Sequence, residues 1–140
     1  MNKKMKTNKL IATHSFTVFP QDLNYSGTLF GGKVCQEMDL AGVKVVRRAL
    51  YDTLADGCVT ASVDRIDFHK PGFLGDLIIM TSEIKSLGKS SFRVKITVNR
   101  EGLKGEVEHI CTADFTFVAM KNKMPFKHGL SFESLSEGTI

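Results

Sequence analysis

The sequence is poor in several features that mark particular classes of protein. Its 140 residues include no tryptophan, three prolines and three cysteines. No stretch reaches the roughly 18 consecutive apolar residues of a membrane-spanning helix, and the lysine-rich start lacks the apolar run of a signal peptide. The cysteines, Cys35, Cys58 and Cys111, are odd in number and widely spaced, which favours buried free thiols over disulfides or a metal site. We therefore expect a cytoplasmic protein with no membrane contact and no metal.

A surplus of basic residues is spread along the whole chain. The 19 lysines and arginines exceed the 15 acidic residues and leave a net charge of +4. Such a charge favours either nucleic acid or a small anionic ligand that carries several phosphates. Because the basic residues form no stripe and no known nucleic-acid-binding motif is present, we expect no nucleic-acid partner.

The chain reads as one domain without internal repeats or a flexible linker. We assign residues 1–13 to an N-terminal extension, 14–121 to the domain and 122–140 to a C-terminal tail. The last ten residues, SFESLSEGTI, are polar, so we expect the end of the tail to be mobile.

One long amphipathic helix is predicted from Gly32 to about Leu54. Apolar residues recur there at helical spacing, and charged residues fall on the opposite face, Glu37 among them. At about 100° per residue, Asp39 lies about 80° from the centre of the apolar stripe. We therefore expect Asp39 at the boundary between core and solvent, and Cys35 in the core.

Alternating apolar residues predict strands on both sides of this helix. The clearest are 91–100 and 107–120, with two more at 58–71 and 75–88 and a shorter one at 13–20. Glycines predict turns near residues 88 and 102–105. A single helix packed on an antiparallel sheet long enough to wrap it is a two-layer α+β domain.

Six stretches, in order along residues 14–121, resemble the hotdog-fold acyl-CoA thioesterases. The resemblance is closest to the single-domain bacterial acyl-CoA hydrolases, which are related to the cytosolic acyl-CoA thioesterases. The stretches are Pro20, DLN (22–24), GTLFGGKVCQEMD (27–39), DFHKPGFLGD (67–76), GKSSFRV (88–94) and ADFTFVAM (113–120). The resemblance implies a hotdog fold, hydrolysis of acyl-CoA to fatty acid and coenzyme A, and sites formed where two chains pair edge to edge.

The same resemblance implies that Asp39 is the catalytic acid, with Asn24 beside it. A lone carboxylate at a helix boundary is more often a solvated surface group, so the motif carries this assignment. Asp39 would act as a base on water or attack the thioester itself, and the sequence leaves both open. The amides of Gly31 and Gly32 would stabilise the developing oxyanion.

Helix geometry separates these groups within one chain. Asp39 stands eight residues beyond Gly31, or about 12 Å along the helix. A site shared by two chains would bring them together. The resemblance implies the same arrangement, with Asn24 and the helix start of one chain facing Asp39 of the other. We therefore predict a homodimer as the smallest active unit, and a hexamer built as a trimer of dimers is a common larger assembly in this family.

Coenzyme A, as part of the substrate, is the only cofactor-like group that the resemblance implies. The stretch GKSS is no phosphate-binding P-loop, because Glu83 stands where its first glycine is needed. As a hairpin turn it would still offer amides, hydroxyls and a charge to phosphates. The resemblance implies coenzyme A binding by Gly88, Lys89, Ser90, Ser91 and Lys70, with Arg93 and Lys121 as weaker candidates.

Two other functions are compatible with a hotdog domain. Acyl-CoA hydratases and dehydratases of this fold use a histidine, and His69 lies beside a proline-glycine pair, but the paired acid of those enzymes is missing. A non-catalytic acyl-CoA sensor would need a DNA-binding segment, for which the residues before the first strand are too few.

Overall fold

The computed structural model describes residues 8–137. Its long elements follow the predicted order of strand, helix and four strands, which is confirmed. The elements are β1 (Ile11–Thr17), α1 (Gly31–Leu50), β2 (Gly57–Val63), β3 (Leu77–Leu87), β4 (Ser91–Glu101), β5 (Val107–Lys121), β6 (Met124–Pro125) and α2 (Phe132–Glu137).

The strands form one antiparallel sheet in the order β1-β3-β4-β5-β2, and the short β6 pairs with β5. Helix α1 contacts all five long strands, so the sheet wraps around it and the core lies between them. Met38, Phe92 and Phe117 are among the largest side chains that are fully buried there. The predicted two-layer α+β architecture is confirmed.

Helix α1 approaches the sheet closely at Gly42. A Cβ atom at this position would lie 2.5 Å from the ring of Phe117, a distance that real contacts do not show. The helix ends at Leu50, earlier than the predicted Leu54, because the backbone N–H and hydroxyl of Thr53 both donate to the Leu50 carbonyl. These bonds replace the next helical turn.

Glu37 is buried, although its spacing predicted a solvent-facing position. The side chain lies within a polar network, 2.6 Å from the His14 ring and 2.9 Å from the Lys33 ammonium. Burial would raise the pKa of Glu37, but the hydrogen bonds and charges of His14 and Lys33 together lower it. Cys35, predicted in the core, is only half-buried. The helix therefore buries an ion-paired edge as well as its apolar stripe.

Glu37→Gln is expected to reduce stability at neutral pH by roughly 1–3 kcal/mol, because a buried charged hydrogen-bond partner is lost. A lowered pKa in the folded state contributes stability above the ordinary value of 4.5, and this contribution is lost as pH falls through the lowered pKa. Urea unfolding measured as a function of pH should therefore show that the free energy of unfolding falls less steeply on acidification for the variant than for wild type. Glu133→Gln, at an exposed position on α2, should behave as wild type.

The C-terminal tail is more ordered than the sequence predicted. Phe126 donates its backbone N–H to Ala119, and α2 buries Leu135 against the core. A polar stretch with a single well-placed leucine can dock as a short helix, which composition alone does not reveal. Residues 138–140, the end of the predicted mobile segment, and residues 1–7 of the predicted extension lie outside the described residues.

Strand β2 is also shorter than predicted, since it ends at Val63 and does not continue toward Pro71. Beyond it the chain remains beside β5 through two isolated backbone bonds, from Asp64 to Asp114 and from His69 to Ile110. The predicted turns are confirmed by backbone bonds from Gly88 to Ser91 and from Gly102 to Glu106. Residues 64–76 therefore form a long loop that leads back to β3.

Candidate functional site

Asp39 lies half-buried on α1, at the boundary that its position in the helix predicts. Its Oδ1 atom accepts a hydrogen bond from the hydroxyl of Thr60 on β2. This bond fixes one carboxylate oxygen. Within residues 8–137 Oδ2 accepts no hydrogen bond, so it can accept one from a water molecule or a substrate. The arrangement provides an oriented carboxylate beside an open sheet edge, which is what a general base requires.

Thr60, the partner of Asp39, is a candidate site residue that the sequence did not indicate. It belongs to a strand of mostly small residues, GCVTASV, and nothing in this local pattern marks it as functional. A register shift between Thr60 and Ser62 marks a β-bulge, a feature that re-aims side chains. The bulge lies in an edge strand whose residues from Val59 onward are exposed.

The start of α1 borders a cavity of about 390 Å³. The loop before β3 covers it, because Leu29 donates its N–H to the Gly72 carbonyl and Phe68 lies 3.6 Å from the position of a Gly31 Cβ. Besides Gly31, the lining includes Lys70, which the resemblance grouped with residues 88–91 and not with the helix start. The N–H groups of Gly31 and Gly32 lie at the positive end of the helix dipole, whereas those of Lys33 and Val34 donate to the Phe30 carbonyl. Gly31 lines the cavity and Gly32 does not.

Asn24 organises the loop that leads into α1. Its side-chain oxygen accepts hydrogen bonds from the backbone of Ser26 and Thr28, at 2.9 and 3.1 Å, and its amide donates to the Thr28 hydroxyl at 3.0 Å. This local closure is a typical role of asparagine in turns. Asn24 therefore holds the helix start in place, and one amide hydrogen remains for a further acceptor.

The structure places the predicted site residues at two ends of the sheet. Across the strands, Thr60 pairs with Phe117, Phe117 with Phe92, and Phe92 with Leu87. Strands lie about 4.8 Å apart, so the beginning of β4, beside the GKSS turn, lies about 10 Å from Thr60. The Asp39 carboxylate and the GKSS turn therefore belong to the same end.

The loop with Lys70 lies at the other end. It leads into the first residue of β3, whereas the GKSS turn follows the last. Strand β3 has 11 residues and spans about 33 Å. Asp39 and residues 88–91 accordingly do not line the cavity at Gly31. Within one chain, the oxyanion donors and the candidate base remain apart, as the helix rise predicts.

Two of the three cysteines, Cys58 and Cys111, are disfavoured as nucleophiles. Burial, followed by the negative charge of Asp39, raises the pKa of the Cys58 thiol. Burial raises the pKa of Cys111 to about 12, and its thiol contacts Met38. Since the thiolate is the reactive form, these two thiols are inert at neutral pH.

The other candidates for binding lie at the surface. The ring of His69 stacks on His109 at 5.6 Å between centroids, and the side chain of Lys70 is 60% exposed and 3.9 Å from Glu108.

No helix within residues 8–137 has the length and apolar character to cross a bilayer. The same residues contain no group of three or more potential metal ligands.

Comparison with known proteins assigns the family. The sequence model of the Thioesterase superfamily matches residues 26–106, more than half of the chain. The chain belongs to the thioesterase superfamily. A Bacillus subtilis relative, named as an uncharacterized acyl-CoA thioester hydrolase, is 38% identical over 117 residues. That match covers 82% of this chain and 64% of the relative, so the chain spans less than two thirds of the length of this relative.

Solved structures confirm the hotdog fold of this thioesterase-superfamily chain. An acyl-CoA hydrolase from Staphylococcus aureus, in complex with butyryl coenzyme A and coenzyme A, is 27% identical with a TM-score of 0.75, covering 86% of this chain and 71% of that one. The same enzyme has been solved with an aspartate, an asparagine or a threonine replaced by alanine. A hexameric thioesterase from Yersinia pestis is 28% identical with a TM-score of 0.76, covering 84% and 94%.

Proposed function

We propose that the protein hydrolyses acyl-CoA thioesters to free fatty acid and coenzyme A. The observation that carries this proposal is the Asp39 carboxylate, which Thr60 holds at the edge of the sheet and whose second oxygen has no hydrogen-bond partner among residues 8–137. The names of the Bacillus subtilis relative and the Staphylococcus aureus neighbour support acyl-CoA as the substrate class. Asp39, Asn24 and Thr60 are also of the three residue types that were replaced in that neighbour.

In the proposed reaction, Asp39 accepts a proton from water while the water oxygen attacks the thioester carbonyl. The N–H groups of Gly31 and Gly32 stabilise the oxyanion that develops. The carbon–sulfur bond then breaks, and the leaving thiolate takes the proton from Asp39, which restores the carboxylate. No cofactor is assigned, since coenzyme A enters only as half of the substrate. The alternative is direct attack by Asp39, which forms a mixed anhydride as the thiolate leaves. If water then attacks the aspartyl carbon, a single turnover in oxygen-18 water would label Asp39 and leave the fatty acid unlabelled.

The active unit in this proposal is a homodimer that pairs through β2. The outer edge of this strand carries no partner strand within residues 8–137, and unpaired edges readily add a strand. Val59 and Val63 are 47% and 46% exposed there, and Leu40 next to Asp39 is 48% exposed. Pairing would cover these apolar side chains and bring the helix start of one chain toward Asp39 of its partner. A hexamer would combine three such dimers, and the hexameric state of the Yersinia pestis neighbour supports this assembly.

Val59→Asp is expected to convert the dimer to monomer and to abolish turnover, because a desolvated, unpaired charge would lie in the apolar interface. Analytical ultracentrifugation and a thioesterase assay would check both effects. Leu103→Asp, which introduces the same charge at a turn residue that is 81% exposed, should leave both unchanged. A monomeric Val59→Asp variant with full activity would contradict the shared site.

Release of free thiol from acyl-CoAs, from acetyl-CoA to palmitoyl-CoA, tests the proposed function directly. We expect turnover of at least one member of this series, and the profile would reveal the preferred acyl length. Tight binding without turnover would instead indicate an acyl-CoA sensor, and formation of hydroxyacyl-CoA from enoyl-CoA would indicate a hydratase.

We place the reaction in the cytoplasm, a location that the free cysteines support.

A further inference from the structure

A second cleft, of about 590 Å³, separates the GKSS turn from the C-terminal segment. One wall is the turn, with Gly88 and Lys89, and the other is the segment 127–130, here called the tail wall. Of these two walls, the sequence predicted only the turn as a binding element. The cleft lies at the same end of the sheet as Asp39, because the turn leads into β4 beside the row of residues that contains Thr60.

The tail wall is held in place by His128. Its backbone N–H donates to the carbonyl of Lys89 at 3.1 Å, and its ring lies against Phe92, with 4.6 Å between centroids. The Nδ1 atom accepts the backbone N–H of Leu130 at 3.0 Å, which leaves Nε2 as the donor to the Ser91 carbonyl at 3.3 Å. The histidine thus connects the tail wall to the turn by two hydrogen bonds, and a third, from Leu130, orders the tail wall itself; His128 is only 7% exposed.

The cleft carries two ammonium groups that no carboxylate neutralises. Lys89 and Lys127 are both exposed, and neither forms an ion pair with an acidic side chain among residues 8–137. Lys33, Lys70 and Lys85, by contrast, each lie near an acidic partner. Gly129 follows with a φ of +68°, a conformation that suits glycine and turns the backbone directly after Lys127 and His128. Two unpaired cations across one cleft favour a ligand with several negative charges.

We propose that the tail wall is the second half of the phosphate-binding site for coenzyme A, and that Lys127 binds a phosphate opposite Lys89. This inference rests on the proposed function, because it needs the nucleotide end of an acyl-CoA at the turn. The thioester would then lie toward Asp39, whose hydrogen-bond partner Thr60 is about 10 Å from the start of β4, across two strands. The C-terminal segment would thereby contribute to substrate affinity, and not only to packing of the core.

The inference can be tested without turnover by calorimetric titration with coenzyme A. The proteins to compare are wild type, Lys127→Gln and Lys127→Arg. We expect Lys127→Gln to weaken binding about 5–10-fold, because one charge-assisted contact is lost, and Lys127→Arg to keep most of the affinity. The KM for butyryl-CoA should rise by the same factor with kcat unchanged. The KM for S-butyryl-pantetheine, which lacks the nucleotide, should not change.

Lys104→Gln serves as the matched control, since it removes the same charge from an exposed turn at the far end of β4. It should bind coenzyme A as wild type does. Unchanged affinity in Lys127→Gln, or an equal loss with the pantetheine thioester, would overturn the role of Lys127 while the proposed hydrolase stands. Absence of coenzyme A binding by the wild type, together with absence of turnover, would overturn both.

Discussion

Replacing Asp39 with asparagine is expected to lower kcat for acyl-CoA hydrolysis by about 10²–10⁴-fold, the usual contribution of a general base. Asparagine has nearly the same shape as aspartate, and its oxygen can still accept the Thr60 hydroxyl. It cannot accept a proton from water at neutral pH. The loss should therefore appear in kcat, whereas calorimetric titration should show coenzyme A bound with unchanged affinity.

The matched control for this variant is Asp52→Asn, which makes the same chemical change just beyond α1, where the side chain is 81% exposed. It should keep wild-type kcat. Thr60→Val, which removes the hydroxyl that orients Asp39, should cause a smaller loss than Asp39→Asn, because the carboxylate remains but is less well positioned. An Asp39→Asn variant that remains dimeric and retains near-normal kcat would contradict the proposed role.

The parts of the fold that could be predicted are those that depend on local periodicity. The alternation in β4 and β5 and the helical spacing from Val34 to Leu50 follow directly from which face of each element is apolar. Glu37 deviates from this rule because His14 and Lys33 compensate its charge, and His14 comes from β1, remote in sequence. Periodicity treats a charged residue as solvent-exposed, so it cannot identify a buried ion pair.

The candidate site was predictable only where residue type and order match a family motif. Asp39 and Asn24 lie in such a motif, but the structure adds that Asn24 is largely occupied with its own loop. Thr60 and Lys127 have no local signature. Their importance follows from pairing between distant strands and from the docked tail, and these contacts arise only after the chain has folded.

The geometry of one chain also explains why a dimer is needed for the proposed chemistry. Within one chain, the proposed base lies at one end of the sheet and the proposed oxyanion donors lie at the other. They therefore cannot act on the same carbonyl group. Two chains related by a twofold axis through β2 would run in opposite directions, so the Gly31 end of one approaches the Asp39 end of the other. The same symmetry would produce two equivalent sites, each sharing residues from both chains.

Arg100→Met is expected to lower the free energy of unfolding by about 3–5 kcal/mol, the usual cost of breaking a buried ion pair by removing one partner. Arg100 and Asp76 are 5% and 2% exposed, and two hydrogen bonds of 2.5 and 3.0 Å connect them. Arg100 also contacts Glu108 at 2.6 Å and Glu106 at 3.4 Å. Its removal would therefore leave three carboxylates close together, one of them buried. The midpoint of urea unfolding measures the effect.

Arg93→Met is the control, because it breaks an exposed ion pair with Asp64 and should cost less than about 1 kcal/mol. Adding Asp76→Asn to Arg100→Met should recover part of the loss, since no buried charge then remains without a partner. Equal losses in the two arginine variants would contradict this account.

The Arg100→Met variant should also affect binding, because Asp76 anchors the loop that covers the start of α1. The Asp76 carboxylate accepts a hydrogen bond from the Phe73 N–H at 2.8 Å, and the Asp76 backbone carbonyl accepts one from the Val18 N–H at 2.9 Å. If this anchor loosens, the Gly72 carbonyl no longer fixes Leu29 beside the helix start. We expect a raised KM for acyl-CoA even under conditions where the variant remains folded. An unchanged KM would mean that the loop is held by its backbone bonds alone.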